Sequence, residues 1–283
     1  MFKKKTLGLL ILCSVLVLSA CGTKPAAPSA GGENPAQTPV AVQENKLDAI
    51  KKNGKIIVGT SADYPPYEFH KEVDKKDTIV GFDIEIAKEI AKDLGVTLEM
   101  KDMKFDGLLA ALEAGAIDFV ISGMTPTEER AKSVDFTKVY YTAVQSVAVR
   151  ADDKNKYKTI DDLKGKKVGA QKGAIQEMIV KEQLPQSEVK AISKISDLML
   201  ELKNKKIEAL IVEKPVAASY LSKNKDLVLA DITLATEDAG SAIAVKKNNP
   251  ELIEAMNKTL DRLIADKLID KFVTEANEQV ETQ

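Results

Sequence analysis

Short apolar runs that alternate with segments of helical periodicity constrain this chain more than any other feature. Lys55-Ile56-Ile57-Val58-Gly59-Thr60 reads as a strand that ends in small residues. Asp83 to Leu94 follows as a helix, with Ile86, Ile90 and Leu94 at helical spacing and Gly95 to stop it. Val96 to Met100 is a second strand. Phe105-Asp106-Gly107 opens a second helix through Leu108, Leu109 and Leu112 to Gly115, and Ile117 to Ile121 is a third strand. The alternation restarts with a short helix from Thr159 to Gly165. It continues through strands at Lys167–Ala170, Glu188–Ile192 and Ala209–Val212, each followed by a helix, at Ala174–Glu182, Ser196–Lys203 and Pro215–Leu221. A tail helix from Pro250 to about Ala265 lines up Leu252, Ile253, Met256, Leu260 and Leu263. Asn249 is expected to cap it, with Pro250 at its first position. Strands that alternate with helices imply α/β units built on mostly parallel sheet.

Two such units with no long linker between them imply two lobes. Val144 to Arg150 and Ala242 to Lys246 are extended and apolar, and read as two crossover strands. Lobe 1 is then discontinuous, residues 46–145 and 243–283, and lobe 2 is 146–242.

The chain ahead of these units is of another kind. Lys3, Lys4 and Lys5 precede an apolar run from Leu7 to Leu18, too short to span a bilayer and of the length of a signal-peptide core. Leu18-Ser19-Ala20-Cys21 looks like a lipobox, which marks residues 1–20 as a cleaved lipoprotein signal and Cys21 as the lipidated residue. Residues 21–45, with four prolines, Gly31-Gly32 and many alanines, read as a flexible tether to the anchor. Cleavage removes three lysines and no acid, so 41 basic residues become 38 against 43 acidic. That balance excludes a basic nucleic-acid binder. One His and two Cys leave no His/Cys metal site, and no cofactor is expected.

In open α/β sheets ligands bind beyond the carboxyl ends of strands, beside helix N-termini. Four segments meet that description. Ser122-Gly123-Met124-Thr125-Pro126-Thr127-Glu128-Glu129-Arg130 combines an expected capping box of Thr125 with Glu128 and a guanidinium fork at Arg130 suited to a carboxylate. Ser61-Ala62-Asp63-Tyr64-Pro65-Pro66-Tyr67-Glu68-Phe69 is a proline-stiffened loop whose Tyr64 can wall a pocket, while Tyr67 and Phe69 suit a core. Gln171-Lys172-Gly173-Ala174-Ile175-Gln176-Glu177 is a strand end and helix start with a glycine that permits close approach. Glu213, at the next strand end, can receive an ammonium group. An anion receptor in one lobe and a cation receptor in the other suit a zwitterion held between them. His70 and the charged run from Lys71 to Lys76 read as a solvent-facing hairpin tip.

Tyr64-Pro65-Pro66-Tyr67-Glu68-Phe69, Gly81-Phe82-Asp83-Ile84, Phe105-Asp106-Gly107-Leu108, Ser122-Gly123-Met124-Thr125 with Arg130, Val134-Asp135-Phe136 before Tyr140-Tyr141, and Glu213-Lys214-Pro215-Val216-Ala217 occur in an ordered series. The chain from about Leu47 to Ala276 thereby resembles the bacterial extracellular solute-binding proteins, family 3, of amino-acid ABC importers. The resemblance implies a two-lobed, type II periplasmic-binding-protein-like fold, with a ligand cleft between the lobes. It implies that Arg130 clamps the ligand carboxylate with the Thr125 and Ile175 N–H groups. Glu213, Ser122 and Thr125 would hold the ammonium, and Tyr64 and Phe105 would sandwich the side chain. Gln171 would tune preference. Ser61, Asp63, Gly123 and Gly173 complete the expected ligand set.

Three positions depart from the pattern. Ser61 stands where binders of basic amino acids often carry Asp, Ile175 where a hydroxyl residue is common, and Glu213 where Asp is usual. A polar, possibly basic, L-amino acid is the expected ligand. The implied partners are a membrane permease and a lipid anchor, for a monomer on the outer face of the cytoplasmic membrane. A Gram-positive surface is favoured over a Gram-negative periplasm. The alternatives are a binding protein that serves a separate sensor, and a cyclohexadienyl-dehydratase-like enzyme with Glu177 as general acid.

Overall fold

A computed structural model describes residues 45–236 and 240–282. The expected signal, the lipidated Cys21 and nearly all of the tether lie outside the described residues. The chain runs α1 (Lys46–Asn53), β1 (Lys55–Thr60), β2 (Asp63–Tyr64), β3 (Glu68–Val73), β4 (Lys76–Val80), α2 (Phe82–Leu94), β5 (Thr97–Asp102), α3 (Leu108–Glu113), β6 (Phe119–Val120) and α4 (Glu128–Ala131). Then come β7 (Val134–Thr142), β8 (Gln145–Arg150), β9 (Lys167–Gln171), α5 (Ile175–Gln183), β10 (Glu188–Ile192), α6 (Ile195–Lys203), β11 (Ala209–Glu213) and α7 (Lys214–Lys223). β12 (Leu227–Leu229), β13 (Gly240–Lys246), α8 (Pro250–Ala265) and α9 (Leu268–Glu281) complete it.

Two five-stranded sheets repeat one plan. The first has the order β5-β1-β6-β13-β7 and the second β10-β9-β11-β8-β12. In each, three strands pair in parallel, with the earliest of them in the middle, and the next strand, β13 or β8, pairs antiparallel on both its sides. Four strands of each five thus run in one direction, as expected of a mostly parallel sheet, and β13 or β8 opposes them. The order also creates a switch point beside β1 and beside β9, where connections leave in opposite directions and a crevice opens.

Side-chain alternation explains why both faces of these strands are apolar. In β11, Leu210 and Val212 pack on the α6 residues Leu198 and Leu202, while Ala209 and Ile211 face Ile179 and Val180 of α5. In β1, Ile56 and Val58 meet the α2 residues Ile86 and Ile90, and Ile57 faces Leu108 and Leu112. Gly59 and Gly169 occupy matching places in the two central strands. A Cβ would come within 2.4 Å of the Ile117 side chain at the first and 2.5 Å of the Ile207 side chain at the second, so glycine makes room there for an isoleucine to pack on the strand.

Several expectations shift. Gln145–Arg150 lies wholly in the second sheet and Gly240–Lys246 wholly in the first, so each belongs to one sheet rather than spanning both. Asn249 precedes α8 but does not cap it with its side chain. Its amide donates instead to the Lys246 and Lys247 carbonyls, at 2.8 and 3.0 Å. The helix expected from Phe105 begins as a 3-10 turn over Phe105–Gly107 and becomes α-helical at Leu108.

Candidate functional site

The loops that leave both switch points converge on one small cavity. The first sheet supplies Tyr64 after β1, Phe105, and Ser122, Gly123, Thr125 and Arg130 after β6. The second supplies Gln171 at the end of β9 and Ala174, Ile175 and Gln176 at the start of α5. Eight of the twelve expected ligand residues line this cavity. Its volume is about 10 Å³, near the roughly 10–15 Å³ that a single water needs. The two sides are therefore in contact across it.

Arg130 makes much of that contact. One terminal nitrogen donates to the Thr125 carbonyl at 2.6 Å and the other to the Gly173 carbonyl, across the cleft, at 2.9 Å. The guanidinium carbon lies 5.4 Å from the centre of the Phe105 ring, within cation–π range. Among the described residues no carboxylate pairs with Arg130, and burial lowers its pKa to about 10, so it stays charged at neutral pH. A guanidinium has five N–H donors, so these two bonds leave donors for an anion.

The local cap differs from expectation. Thr127, not Thr125, precedes α4, and its hydroxyl accepts the Arg130 N–H at 3.2 Å. Pro126 lies ahead of that cap. Thr125 is instead a buried residue of the cavity wall, with its carbonyl on Arg130.

Four expected residues do not line the cavity. Gly173 touches the site through its carbonyl and takes a φ of +75° that favours glycine; its N–H donates to Glu177 at 2.9 Å. Glu213 lies behind the wall, fully buried, and accepts the Tyr67 hydroxyl from the first-sheet side at 2.5 Å. Burial raises its pKa to about 7, with the Tyr67 bond opposing. Asp63 reaches over to the second-sheet side. Its carboxylate accepts the N–H of Ile195, the first residue of α6, at 2.6 Å, and its carbonyl accepts the Tyr220 hydroxyl at 2.8 Å. Burial pushes the Asp63 carboxyl up to about 6. Ser61 donates its hydroxyl to Asp63 at 3.2 Å and supports it from behind. A second bridge runs from Asp106 to the Ser193 hydroxyl at 2.8 Å and to Lys172 at 2.9 Å.

Gln176 belongs to the third candidate segment but was not in the expected ligand set. It lines the cavity and donates to Gln145 at 2.9 Å. A roomier groove of about 230 Å³ lies beyond Asp63, against Ser219, Tyr220 and Lys223 of α7. Chemistry rather than volume makes the cavity at Arg130 the candidate, since Arg130 is a half-buried cation with no carboxylate partner among the described residues.

His70 is solvent-exposed as expected, and it is also paired. Its ring nitrogens approach Asp77 at 2.9 Å and Asp102 at 3.2 Å. The tip that follows is exposed as expected, and turns through Asp74 and Lys75 at positive φ. Glu177 lacks the state of a general acid. Burial alone would raise its pKa, but Lys181 at 2.6 Å and the Gly173 N–H outweigh it and hold the carboxyl below its ordinary value.

Comparison with known proteins identifies the family. The family model for bacterial extracellular solute-binding proteins, family 3, matches residues 56–276, and the chain belongs to that family. The arginine-binding extracellular protein ArtP of Bacillus subtilis (strain 168) is 40% identical over 266 residues, 92% of each chain. The amino acid ABC transporter substrate-binding protein AbpA of Streptococcus pneumoniae, solved bound to L-arginine, superposes with a TM-score of 0.80. It is 42% identical, and the match covers 82% of this chain and 98% of that one. The ancestral amino acid-binding protein AncCDT-1, a precursor of cyclohexadienyl dehydratase, superposes with a TM-score of 0.73 at 37% identity, over 81% of this chain and 98% of that one. The fold is the two-lobed type II periplasmic binding fold, and the chain is a binding protein of the ABC-transporter class rather than an enzyme. The family is extracellular, and among the described residues no helix is long and apolar enough to cross a membrane.

Proposed function

We propose that this protein captures a basic L-amino acid, arginine foremost, between its lobes and delivers it to a membrane permease. One observation carries the reading: the half-buried Arg130 fork, with no carboxylate partner among the described residues, faces a cavity walled by both sheets. A ligand carboxylate would take the Arg130 donors, and the N–H groups of Thr125 and Ile175. The ammonium would go to Glu213 with Ser122 and Thr125, and the side chain between Tyr64 and Phe105 beside Gln171. Arginine binding by ArtP and by AbpA supports the choice of ligand. A cation between aromatic faces supports it chemically.

The cavity cannot take an amino acid without the two sides parting, which breaks the Arg130 bond to Gly173. Capture is then an exchange. A carboxylate replaces a backbone carbonyl on Arg130, and the Asp63 and Asp106 bridges re-form around the ligand. The lobes would follow the sheets, residues 46–145 and 243–283 against 146–242, with the strand at 240 joining the first and Gln145 the second. We assign residues 1–20 to a lipoprotein signal, Cys21 to the anchor and 21–45 to the tether of a monomer on a Gram-positive cell surface.

The test is calorimetric titration and thermal shift of the purified protein, unfolded and refolded beforehand to strip ligand, against the twenty amino acids. Arginine at ~100 times its Kd should add about 2.7 kcal/mol. A response to glutamine or cystine with none to arginine would refute the basic-ligand assignment. Silence with all twenty would refute the amino-acid reading.

A further inference from the structure

Behind the Ser122-Gly123 wall two carboxyl groups are buried together. Glu68 of β3 and Asp83 of α2 are both fully inaccessible to solvent. Glu68 Oε1 accepts the Ser122 hydroxyl at 2.6 Å, and Ser122 Oγ in turn accepts the Ser61 N–H at 3.1 Å. Asp83 Oδ2 accepts the Gly123 N–H at 2.8 Å and the Tyr140 hydroxyl at 2.9 Å. The other oxygen of each, Glu68 Oε2 and Asp83 Oδ1, is buried and has no donor among the described residues. The two side chains are within hydrogen-bonding reach of each other. An ionised carboxylate only accepts, so two ionised groups would leave both oxygens orphaned in a dry interior, a costly arrangement. One proton between them satisfies both. Asp83 already receives two donors and is the better anion, so the proton belongs on Glu68.

We propose that Glu68 and Asp83 share a single proton, carried on Glu68 Oε2 and donated to Asp83 Oδ1, and that this pair positions the Ser122-Gly123 wall of the ligand cavity. The pair links four chain segments to that wall: the Ser61 turn, β3, the start of α2 and β7 through Tyr140. The wall matters because Gly123 lies against the Tyr64 ring, where a Cβ would come within 3.2 Å of it. The charged groups that face the pair are themselves carboxylates, Asp63 toward Glu68 and Glu213 toward Asp83, with the Tyr64 phenol also close. They favour keeping the proton. Burial and the Asp83 charge raise the Glu68 carboxyl well above its ordinary range. Its contribution to stability is therefore complete below the ordinary carboxylate pKa of ~4.3, and is lost as pH rises through the folded value.

The positioning half of this proposal rests on the ligand-binding reading, and the proton half does not. Infrared spectra of the ligand-stripped protein at pH 8 should show a protonated carboxyl C=O band that vanishes in Glu68→Gln. At that pH the Glu213 and Asp63 carboxyls, with values of about 7 and 6, are mostly ionised and contribute little. Glu68→Gln, which donates an N–H in place of the proton, should also flatten the alkaline fall in Tm. No such band, or a band that survives Glu68→Gln, overturns the shared proton. For positioning, Glu68→Ala should weaken arginine binding roughly tenfold, with Glu68→Gln recovering most of the loss and removing its alkaline pH dependence. Should Glu68→Ala fold poorly, Asp83→Asn at pH 7 and pH 9 tests the same link. If the band behaves as expected but these variants bind like the wild type at every pH, positioning is wrong. If the wild type binds no amino acid, the functional reading fails while the band still decides the proton.

Discussion

Arg130 and Arg150 are both shielded from solvent, both anchored to backbone carbonyls, and differently placed in the fold. Arg150, at the end of β8, has a carboxylate of its own. Its guanidinium meets Asp153 at 2.6 Å and also donates to the Leu202 and Ile207 carbonyls at 2.8 and 2.7 Å. Arg130 has two carbonyls, an aromatic ring and no carboxylate among the described residues. A charge in low dielectric is costly unless it is paired. Arg150 is paired within the fold, so its role ends there. Arg130 is left with only partial compensation, which an anion from outside can complete. Perturbed, incompletely satisfied groups in a cleft point to function.

The largest expected effect separates these two residues. Arg130→Ala should weaken arginine binding about a hundredfold or more, because it removes a desolvated charge-assisted contact. Arg130→Lys should recover little of this, since an ammonium has no fork. Arg150→Ala should instead lower stability by about 2 kcal/mol and leave the affinity of the folded protein unchanged. Titration calorimetry and thermal unfolding on the same preparations check both. Equal affinities for Arg130→Ala and wild type would sink the contrast.

Glu213 supplies the second test, on the cation side. Its carboxyl titrates at about 7 because it is buried. An ammonium ligand needs the ionised form, so affinity should rise with pH up to about 7 and level off above it. The slope below 7 is at most about tenfold per pH unit, the limit for one proton. Proton release on binding at pH 6, measured in buffers of different ionisation heat, should disappear in Glu213→Gln. An affinity flat from pH 5.5 to 8 would remove Glu213 from the ammonium site.

Much of this was legible in the residues, and what was not has identifiable causes. β1 matches its expected range, because an apolar run bounded by Gly54 and a small-residue end has one reading. α2 ends where Gly95 takes a φ of +71°, as the spacing predicted. β6 is nominally two residues, yet Asp118 and Ile121 still bond to β1, so the expected strand is present beyond its formal ends. α9 was missed although Ile269, Phe272, Val273, Ala276 and Val280 keep helical spacing. The break before it is Lys267 at a φ of +56°, a turn without a glycine to announce it. At the site, local motifs revealed the residues near strand ends. Partners distant in sequence were invisible: Asp63 with Ile195, and Tyr67 with Glu213, 146 positions away. Thr125 and Thr127 are both competent caps by sequence, and only the path of the chain chose between them.

Asp63 gives a smaller effect of a third kind, since it neither meets the cavity nor belongs to one side. Its bonds to Ile195 and from Tyr220 exist only while the sides are together. Asp63→Ala should weaken arginine binding about fivefold through faster release, with association unchanged. Asp63→Asn should recover most of it, because an amide oxygen still accepts the Ile195 N–H. Stopped-flow kinetics reads this, and a slower on-rate with an unaltered off-rate would argue for direct ligand contact instead.

The smallest effect falls on His70, a titratable group near the cleft loops, and it asks whether proximity alone makes a group functional. Burial would lower its pKa, but the bonds to Asp102 and Asp77 outweigh that and raise it. A raised histidine contributes stability that is full below its ordinary pKa of ~6.5 and lost as pH climbs through the folded value. The Tm gap between wild type and His70→Gln should therefore be widest near pH 6 and close by pH 9. More than a third of the side chain is exposed, so solvent screening limits the gain to about 0.5 kcal/mol or less. Arginine affinity should not change at any pH, because His70 is paired within the fold as Arg150 is. An affinity that follows the His70 titration would show that a paired cation can still steer the ligand, and pairing would then no longer separate structural from functional charge in this protein.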